Sequence, residues 1–174
     1  LAYNTTTGAY TNLGRPLYFT TQYATALLGA KLYVGVQADA GISLIDTTTN
    51  TITSHIALDS AAGSLALVGT KLYASLIGSD QVALVDTTTD TLLSSITVGG
   101  SPAYMTLVGS KLYVLNQASS SVSVIDTNTN AVLQTIDVGL SPQYATYNGA
   151  GLLYVFAASE SSAFVIDTRT DARL

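Results

Sequence analysis

The feature that most constrains the fold of this chain is a pair of markers that recur together every 40 or 41 residues. A tyrosine lies in the first marker, and an Asp-Thr turn follows it 13 residues later in every copy. The tyrosines are Tyr33, Tyr73, Tyr113 and Tyr154, and the aspartates are Asp46, Asp86, Asp126 and Asp167. Two markers that keep one register over four copies indicate a true structural repeat, in which similar units pack against their neighbours.

The third copy shows most clearly what each repeat forms. Polar and apolar residues alternate over 121–126, β-branched and aromatic residues fill 111–116, and further strand patterns lie at 102–108 and 131–138. Gly, Ser, Asn and Asp separate these segments, and no segment keeps a helical period. We therefore predict an all-β fold: a β-propeller, or an arc of one, with about four repeats of about 40 residues, each a blade of four antiparallel strands. A β-solenoid is the alternative.

The repeat register divides a single propeller domain, 1–174, into blades. The first segment aligns with the outer strands of a blade, and the last stops where an outermost strand would begin. The predicted units are a partial blade, three full blades and a partial blade that lacks its outer strand: 1–16, 17–60, 61–100, 101–140 and 141–174. The partial blades could complete each other in a four-bladed ring, a second copy could close a larger ring, or the chain could be a fragment or open arc that associates. We expect a homo-oligomer or a part of a larger propeller.

Each Asp-Thr turn has a structural explanation. A carboxylate at the start of a turn accepts hydrogen bonds from backbone N–H groups one or two residues on. Asp46, Asp86, Asp126 and Asp167 are therefore predicted to lock the hairpin between the third and fourth strands of each blade. A catalytic residue is rarely needed four times at one blade position, so we favour this role over metal binding or catalysis.

Residues that carry chemistry are scarce. There is no Cys and a single His, His55, in a predicted outer strand, so zinc sites and a Ser-His-Asp triad cannot be assembled. The net charge of −5 argues against nucleic-acid binding, which requires basic patches. No apolar run approaches the length that spans a bilayer. We predict no enzymatic activity, no catalytic residue, no cofactor and no metal site.

Two sets of side chains are candidates for contact with a protein or glycan partner. The first is acidic and lies in loops between second and third strands, which should share one rim of the propeller. The second is aromatic and lies near the start of the innermost strands, where it could stack on a sugar or a peptide at the channel mouth. The acidic set is Asp39, Asp80 and Glu160; the aromatic set is Tyr104, Tyr144, Tyr18 and Tyr23, with Met105 beside them. Asn4 begins the sequon Asn4-Thr5-Thr6, which also fits a simple turn.

The stretch 112–142, LYVLNQASSSVSVIDTNTNAVLQTIDVGLSP, resembles a known repeat family. Its tyrosine-valine strand, Asn, V-S-V-I-D-T strand end, T-N turn and closing I-x-V-G-x-x-P are similar to the YVTN-type β-propeller repeat. The similarity extends over about 17–174, although the other copies depart from the pattern after the tyrosine, as at Val34-Gly35 and Val155-Phe156. The resemblance implies propeller blades of the kind found in surface-layer and secreted proteins. Propellers related to this family include haem and quinone enzymes, and those enzymes use additional His and charged residues.

Composition and resemblance together suggest a role. Hydrophobic residues make up 48% of the chain and charged residues only 10%, so its polarity comes from Thr, Ser, Asn and Gln. We expect an extracellular or cell-surface location, with the periplasm as the alternative. We predict a non-catalytic structural or interaction module that presents a loop rim to a protein or glycan. The alternatives are a self-assembling surface-layer or filament subunit, or part of a propeller lyase or hydrolase whose catalytic residues lie outside this chain.

Overall fold

The computed structural model describes residues 2–4, 9–11, 24–36 and 40–174. All regular secondary structure in this part of the chain is β-strand. β1 (Ala2–Asn4) and β2 (Ala9–Thr11) form an antiparallel hairpin that pairs Tyr3 with Tyr10. These two strands make a sheet of their own. They therefore do not complete the sheet of the last blade, as one of the predicted ring closures would require.

The remaining strands form four antiparallel sheets of four strands each, and every sheet is built from strands consecutive in the chain. Blade 1 contains β3 (Thr25–Leu28), β4 (Lys31–Val36), β5 (Gly41–Asp46) and β6 (Thr51–Ala57), and blade 2 contains β7 (Ala62–Val68), β8 (Lys71–Leu76), β9 (Gln81–Asp86) and β10 (Thr91–Thr97). Blade 3 contains β11 (Pro102–Val108), β12 (Lys111–Asn116), β13 (Ser121–Asp126) and β14 (Ala131–Asp137), and blade 4 contains β15 (Pro142–Tyr147), β16 (Leu152–Ala157), β17 (Ser162–Asp167) and β18 (Ala172–Arg173).

The predicted β-propeller fold is confirmed. The strand segments predicted for the third repeat coincide with β11, β12 and β13, and β14 ends at Asp137. The sequence prediction left the last blade without an outermost strand, whereas the structure gives it β18, a strand of two residues. Successive side chains of a strand point to opposite faces of its sheet, and each face of a blade packs against a neighbouring blade. Short strands joined by turns that contain Gly or Asn therefore form these blades.

The core lies between the blades rather than inside any one of them. We call the face that a blade turns toward the next blade its forward face, and the opposite one its backward face. One apolar cluster joins blades 1 and 2, a second joins blades 2 and 3, and a third joins blades 3 and 4. Tyr33, Tyr73 and Tyr113 lie on forward faces and are completely buried. Each blade is therefore stabilised mainly by contact with its neighbours.

The last residue of each Asp-Thr turn adopts a left-handed backbone conformation. Its φ is 55° at Asn50 and Asp90, 60° at Asn130 and 56° at Asp171. Asn and Asp are the non-glycine residues that tolerate this region best, which explains their recurrence here. In blades 2, 3 and 4, the side chain of this left-handed residue contacts the preceding blade.

Candidate functional site

A repeated polar contact, which we call the latch, joins each blade to the next. It consists of a Lys and a Tyr two residues apart at the start of a second strand, and the left-handed Asp or Asn of the next blade's Asp-Thr turn. Between blades 1 and 2, Lys31 Nζ lies 2.6 Å from Asp90 Oδ2. The Tyr33 hydroxyl donates to Asp90 Oδ1 at 2.6 Å. One carboxylate therefore holds two side chains of the preceding blade.

The same latch recurs at the next two blade interfaces. Lys71 Nζ and the Tyr73 hydroxyl donate to Asn130 Oδ1 at 3.1 and 2.7 Å. At the following interface, Lys111 forms an ion pair of 2.6 Å with Asp171. In all three latches the lysine also donates to the carbonyl oxygen of the second residue of the turn, which is Thr87, Thr127 or Thr168.

Burial gives the latch tyrosines a strong preference for the protonated form. It raises the pKa of Tyr33, and the adjacent Asp90 raises it further by accepting a hydrogen bond from the hydroxyl and by its negative charge. Burial and the contact with Asp171 act in the same way on the pKa of Tyr113. The pKa of Tyr73 is also raised, by burial and then by the charge of Asp126. The hydroxyls therefore remain donors well above neutral pH.

Sequence reasoning missed the latch although a signal for it was present. It used the repeated tyrosines as markers of the register and assigned no partner to the last residue of each turn; in the structure, Tyr33, Tyr73 and Tyr113 are completely buried. Lys31, Lys71 and Lys111 repeat in the same register as the tyrosines, and an Asp or Asn stands at the end of all four turns. A recurring cation and a recurring acceptor in one repeat indicate an ion pair, but only the packing of blades shows that the two belong to different units.

Blade 4 presents a forward face that no other described blade covers. We call it the open face; it consists of Tyr144, Tyr154, Phe156, Ala163 and Val165. Phe156 is 43% exposed, whereas the residues at the same position in blades 2 and 3, Ser75 and Leu115, are completely buried. Tyr154 is half-buried, whereas its three counterparts have no exposed surface. Leu152 stands where the other blades have the latch lysine.

Aromatic side chains cluster on and beside the open face. The ring centroids of Tyr104 and Tyr144 are 5.2 Å apart, and those of Tyr144 and Phe156 are 6.3 Å apart. Tyr144 is 51% exposed. Beside it lies a pocket of about 350 Å³, lined by Gln143, Tyr144, 156–158 and 161–163. The surface of this pocket consists of two aromatic rings, the Gln143 side chain and small Ala and Ser side chains.

The structure brings together only part of the aromatic set predicted from sequence. Tyr104 and Tyr144 are neighbours, as expected from adjacent innermost strands. Met105 is 6% exposed and packs in the core between blades 2 and 3, so its expected place at the channel mouth is wrong. The reason is that consecutive residues of a strand point to opposite faces. Tyr18 and Tyr23 lie outside the described residues.

The predicted acidic residues contact the connections between blades. Asp80 Oδ1 accepts a hydrogen bond from the Ser101 N–H at 2.9 Å, and Glu160 Oε1 accepts one from the Leu140 N–H at 2.9 Å. Both carboxylates thus have a structural partner. Asp39 lies outside the described residues. In the part of the chain that the structure describes, no three His, Asp or Glu side chains are grouped so that they could hold a metal ion.

The Asp-Thr turns contain the hydrogen bonds that the turn-lock hypothesis requires. Oδ1 of Asp46, Asp86 and Asp126 accepts the backbone N–H two residues on, at 2.7, 2.7 and 2.8 Å. Asp167 accepts the Arg169 N–H at 2.9 Å and pairs with its guanidinium at 2.6 Å. These side-chain and backbone donors of Arg169 lower the pKa of Asp167 to about 2.

Two further predicted residues lie away from these contacts. His55 lies in the outermost strand β6 of blade 1, where it is exposed. Asn4, the sequon residue, ends β1, and its side chain lies outside the described part of the chain. Across 2–4, 9–11, 24–36 and 40–174, the structure contains no helix of the length and apolarity needed to cross a membrane.

Comparison with known proteins supports the fold. No family model and no curated protein matches the chain. Among solved structures, it is similar to Kuenenia stuttgartiensis hydrazine synthase, with a TM-score of 0.79 and 20% identity over 99% of this chain and 51% of that one. It is also similar to the computationally designed protein Ika8, with a TM-score of 0.70 and 15% identity over 87% of this chain and 47% of that one. The chain therefore spans about half the length of these solved chains. The likeness places it among β-propellers and says nothing of its activity.

Proposed function

We propose that this chain is a non-catalytic structural and interaction module that associates with another protein through the open face of blade 4. The observation that carries the proposal is Phe156, which is 43% exposed at a position that is completely buried in blades 2 and 3. Tyr144, at 51% exposure, extends the same surface. An apolar and aromatic surface of this kind is typical of a protein contact site.

The internal blade interfaces explain why such a contact would be favourable. The same forward-face positions in blade 3 pack against Ala145, Leu153 and Val155 of blade 4, all of which are buried. Covering one exposed large apolar side chain contributes about 2 kcal/mol. Phe156 and Tyr144 are each about half exposed, so covering both contributes about 2 kcal/mol in total, and the rest of the association energy has to come from the other residues of the interface.

The setting that we propose is extracellular or cell-surface. It is supported by a hydroxyl-rich composition with 10% charged residues and by the resemblance of 112–142 to YVTN-type repeats. A role in a surface layer or a filament agrees with the same open face, because assembly between copies requires an exposed edge or face.

Saccharide binding is a second candidate function for the same region. The pocket of about 350 Å³ combines two aromatic rings with the Gln143 amide and the hydroxyls of Ser161 and Ser162. A mainly apolar pocket with a few polar groups at its edge suits a sugar ring. Calorimetric titration with a panel of simple saccharides tests this candidate, and binding that Tyr144→Ala removes would support it over a protein contact.

Light scattering after size exclusion, over a range of protein concentrations, tests the proposed association. We expect the mass to rise with concentration and Phe156→Ser to raise the dissociation constant about tenfold or more. Leu93→Ser is the matched control, because Leu93 is 54% exposed on the outermost strand of blade 2. A mass that stays at one chain throughout, or an equal effect of both variants, would show the proposal to be wrong.

A further inference from the structure

We infer that Asn148 is a site of spontaneous covalent modification, at which the side-chain amide is hydrolysed to a carboxylate with Gly149 as the internal nucleophile. Asn148 and Gly149 form the one Asn-Gly pair in the sequence, and they lie in the turn between β15 and β16. Both residues are exposed. Water is the only co-reactant, so the reaction does not depend on what the open face binds.

The turn that contains this pair differs from its counterparts in the other blades. In blades 1, 2 and 3, the first and second strands are joined by two residues, at 29–30, 69–70 and 109–110. In blade 4 the connection has four residues, 148–151, and begins with an Asn. The longer connection allows the Asn148 side chain to fold back over the turn and to bond with its backbone.

The side-chain carbonyl of Asn148 is held by two backbone donors. Oδ1 accepts a hydrogen bond from the Ala150 N–H at 2.8 Å and one from the Leu152 N–H at 3.0 Å. The same oxygen gains negative charge when a nucleophile adds to Cγ. Fixed N–H groups at this distance stabilise the developing oxyanion of acyl transfer, as in the oxyanion hole of a hydrolase. The turn therefore favours attack on this amide.

Gly149 supplies an accessible nucleophile. Its amide nitrogen follows Asn148 directly in the chain, so attack on Cγ closes a succinimide ring. A Cβ on this residue would shield the nitrogen, and glycine has none. No described atom lies within 4 Å of the position that a Cβ would take at Gly149. Its φ of 76° is one that glycine adopts without strain, so the turn keeps this open arrangement.

The reaction balances without an oxidant or a reductant. The Gly149 nitrogen loses its proton to solvent and attacks Cγ of Asn148, the bond from Cγ to the amide nitrogen breaks, and ammonia leaves after taking a proton from solvent. Water then opens the succinimide. Opening at Cγ gives aspartate, whereas opening at the main-chain carbonyl gives isoaspartate, in which the main chain runs through Cβ and Cγ. Either product replaces a neutral amide with a negative carboxylate.

The two products should affect the hairpin differently. An aspartate carboxylate accepts the same two N–H groups, and hydrogen bonds to a charged acceptor are stronger than those to an amide. Isoaspartate lengthens the main chain, so it should break the hydrogen bond of 3.0 Å from the Asn148 N–H to the Leu152 carbonyl. Leu152 begins β16, which also carries Tyr154 and Phe156 of the open face. Isoaspartate should therefore disturb that surface as well.

Peptide mapping by mass spectrometry tests the site. The folded protein is incubated at mildly alkaline pH and digested at intervals, and electron-transfer fragmentation locates each exchange of amide for carboxylate. Asn128 is the matched control, because it is also exposed in a turn but is followed by Thr129, whose branched side chain shields the nitrogen. We expect most of Asn148 to convert before any conversion is detected at Asn128. Equal conversion at both residues, or none at Asn148, would overturn the inference.

A parallel incubation in guanidinium chloride separates the contribution of the turn from that of the dipeptide. The unfolded chain keeps the Asn-Gly pair but loses the fixed donors of Ala150 and Leu152. Conversion of Asn148 in the folded chain should therefore be at least as fast as in the unfolded chain. Slower conversion in the folded chain would show that the turn protects the amide, and would also overturn the inference.

Two variants test what the products do. Asn148→Asp cannot release ammonia and should keep the urea midpoint of the parent, because its carboxylate provides the same acceptor. Asn148→Ala removes the acceptor of both N–H groups and should unfold at a lower urea concentration. The isoaspartate form, separated by anion exchange, should also unfold below Asn148→Asp. Equal midpoints for all three would show that the Asn148 oxygen does not hold the turn, and would overturn its role in activating the amide.

Discussion

The Tyr113 hydroxyl donates a hydrogen bond of 2.5 Å to Asp171 Oδ1, a residue 58 positions further along the chain. The donor lies in the second strand of blade 3, and the acceptor ends the outer hairpin turn of blade 4. Lys111 pairs with the other oxygen of the same carboxylate at 2.6 Å. Neighbouring blades are thus joined by a buried, charge-assisted contact as well as by apolar packing.

Removing this hydroxyl should destabilise the fold. Tyr113→Phe leaves a buried carboxylate with one donor fewer, so we expect the free energy of unfolding to fall by about 2 kcal/mol. Tyr154→Phe is the matched control at the same blade position, because Tyr154 has no described latch, and it should change stability by less than about 0.5 kcal/mol. Urea unfolding followed by circular dichroism measures both values. Equal losses would show that the hydroxyl contributes nothing specific to the latch.

The latch tyrosines should make stability fall at alkaline pH. Burial raises the pKa of Tyr33 and Tyr113 above the ordinary value of 10.0, which the unfolded chain retains. A group with a raised folded pKa contributes stability that is complete below the unfolded pKa and is lost as pH rises toward the folded one. Urea midpoints should therefore decrease above about pH 10. Tyr33→Phe with Tyr113→Phe should decrease less steeply, and an unchanged slope would contradict the assignment.

The turn aspartates should have the opposite effect at acid pH. Hydrogen bonds from the Thr88 hydroxyl and N–H lower the pKa of Asp86, and contacts with Arg169 lower that of Asp167 to about 2. A lowered folded pKa contributes stability above the unfolded pKa, and this is lost as pH falls through the folded one. Urea midpoints should drop between about pH 4 and pH 2. Asp86→Asn, which keeps an acceptor but does not titrate, should reduce the drop.

Asp126 provides the simplest test of the turn-lock hypothesis. Its described hydrogen bond is to the Asn128 N–H at 2.8 Å, and its turn is not part of the open face. Asp126→Ala should lower the free energy of unfolding by about 1 kcal/mol. The concentration dependence of the solution mass should not change. A selective loss of association in a fully stable variant would show that this aspartate serves binding rather than the turn.

Sequence periodicity predicts the blades well because each repeat folds by local rules. The Ser-Val alternation of 121–126 and the turn ending at Asn130 are sufficient to place β13 and β14. The latch could not be predicted in this way, since Tyr33 and Asp90 belong to different repeats and only the packing of blades brings them together. The sequence also could not predict which face of the blade each side chain of the innermost strands occupies. The register of β11 with β12 shifts between Pro102 and Tyr104, and an irregularity of this kind determines which face each following residue occupies.

Substitutions of Tyr104 and Tyr144 should separate stability from association. Tyr104 is half-buried and packs against the core between blades 3 and 4, whereas Tyr144 is 51% exposed. Tyr104→Ala should therefore lower the free energy of unfolding by about 2 kcal/mol, and Tyr144→Ala should leave it nearly unchanged. Tyr144→Ala should instead weaken association, because Tyr144 contributes to the open face beside Phe156. Urea unfolding and light scattering on each variant give the two readouts. A Tyr144→Ala variant that unfolds as easily as Tyr104→Ala would show that the ring belongs to the core and that the open face is smaller than we propose.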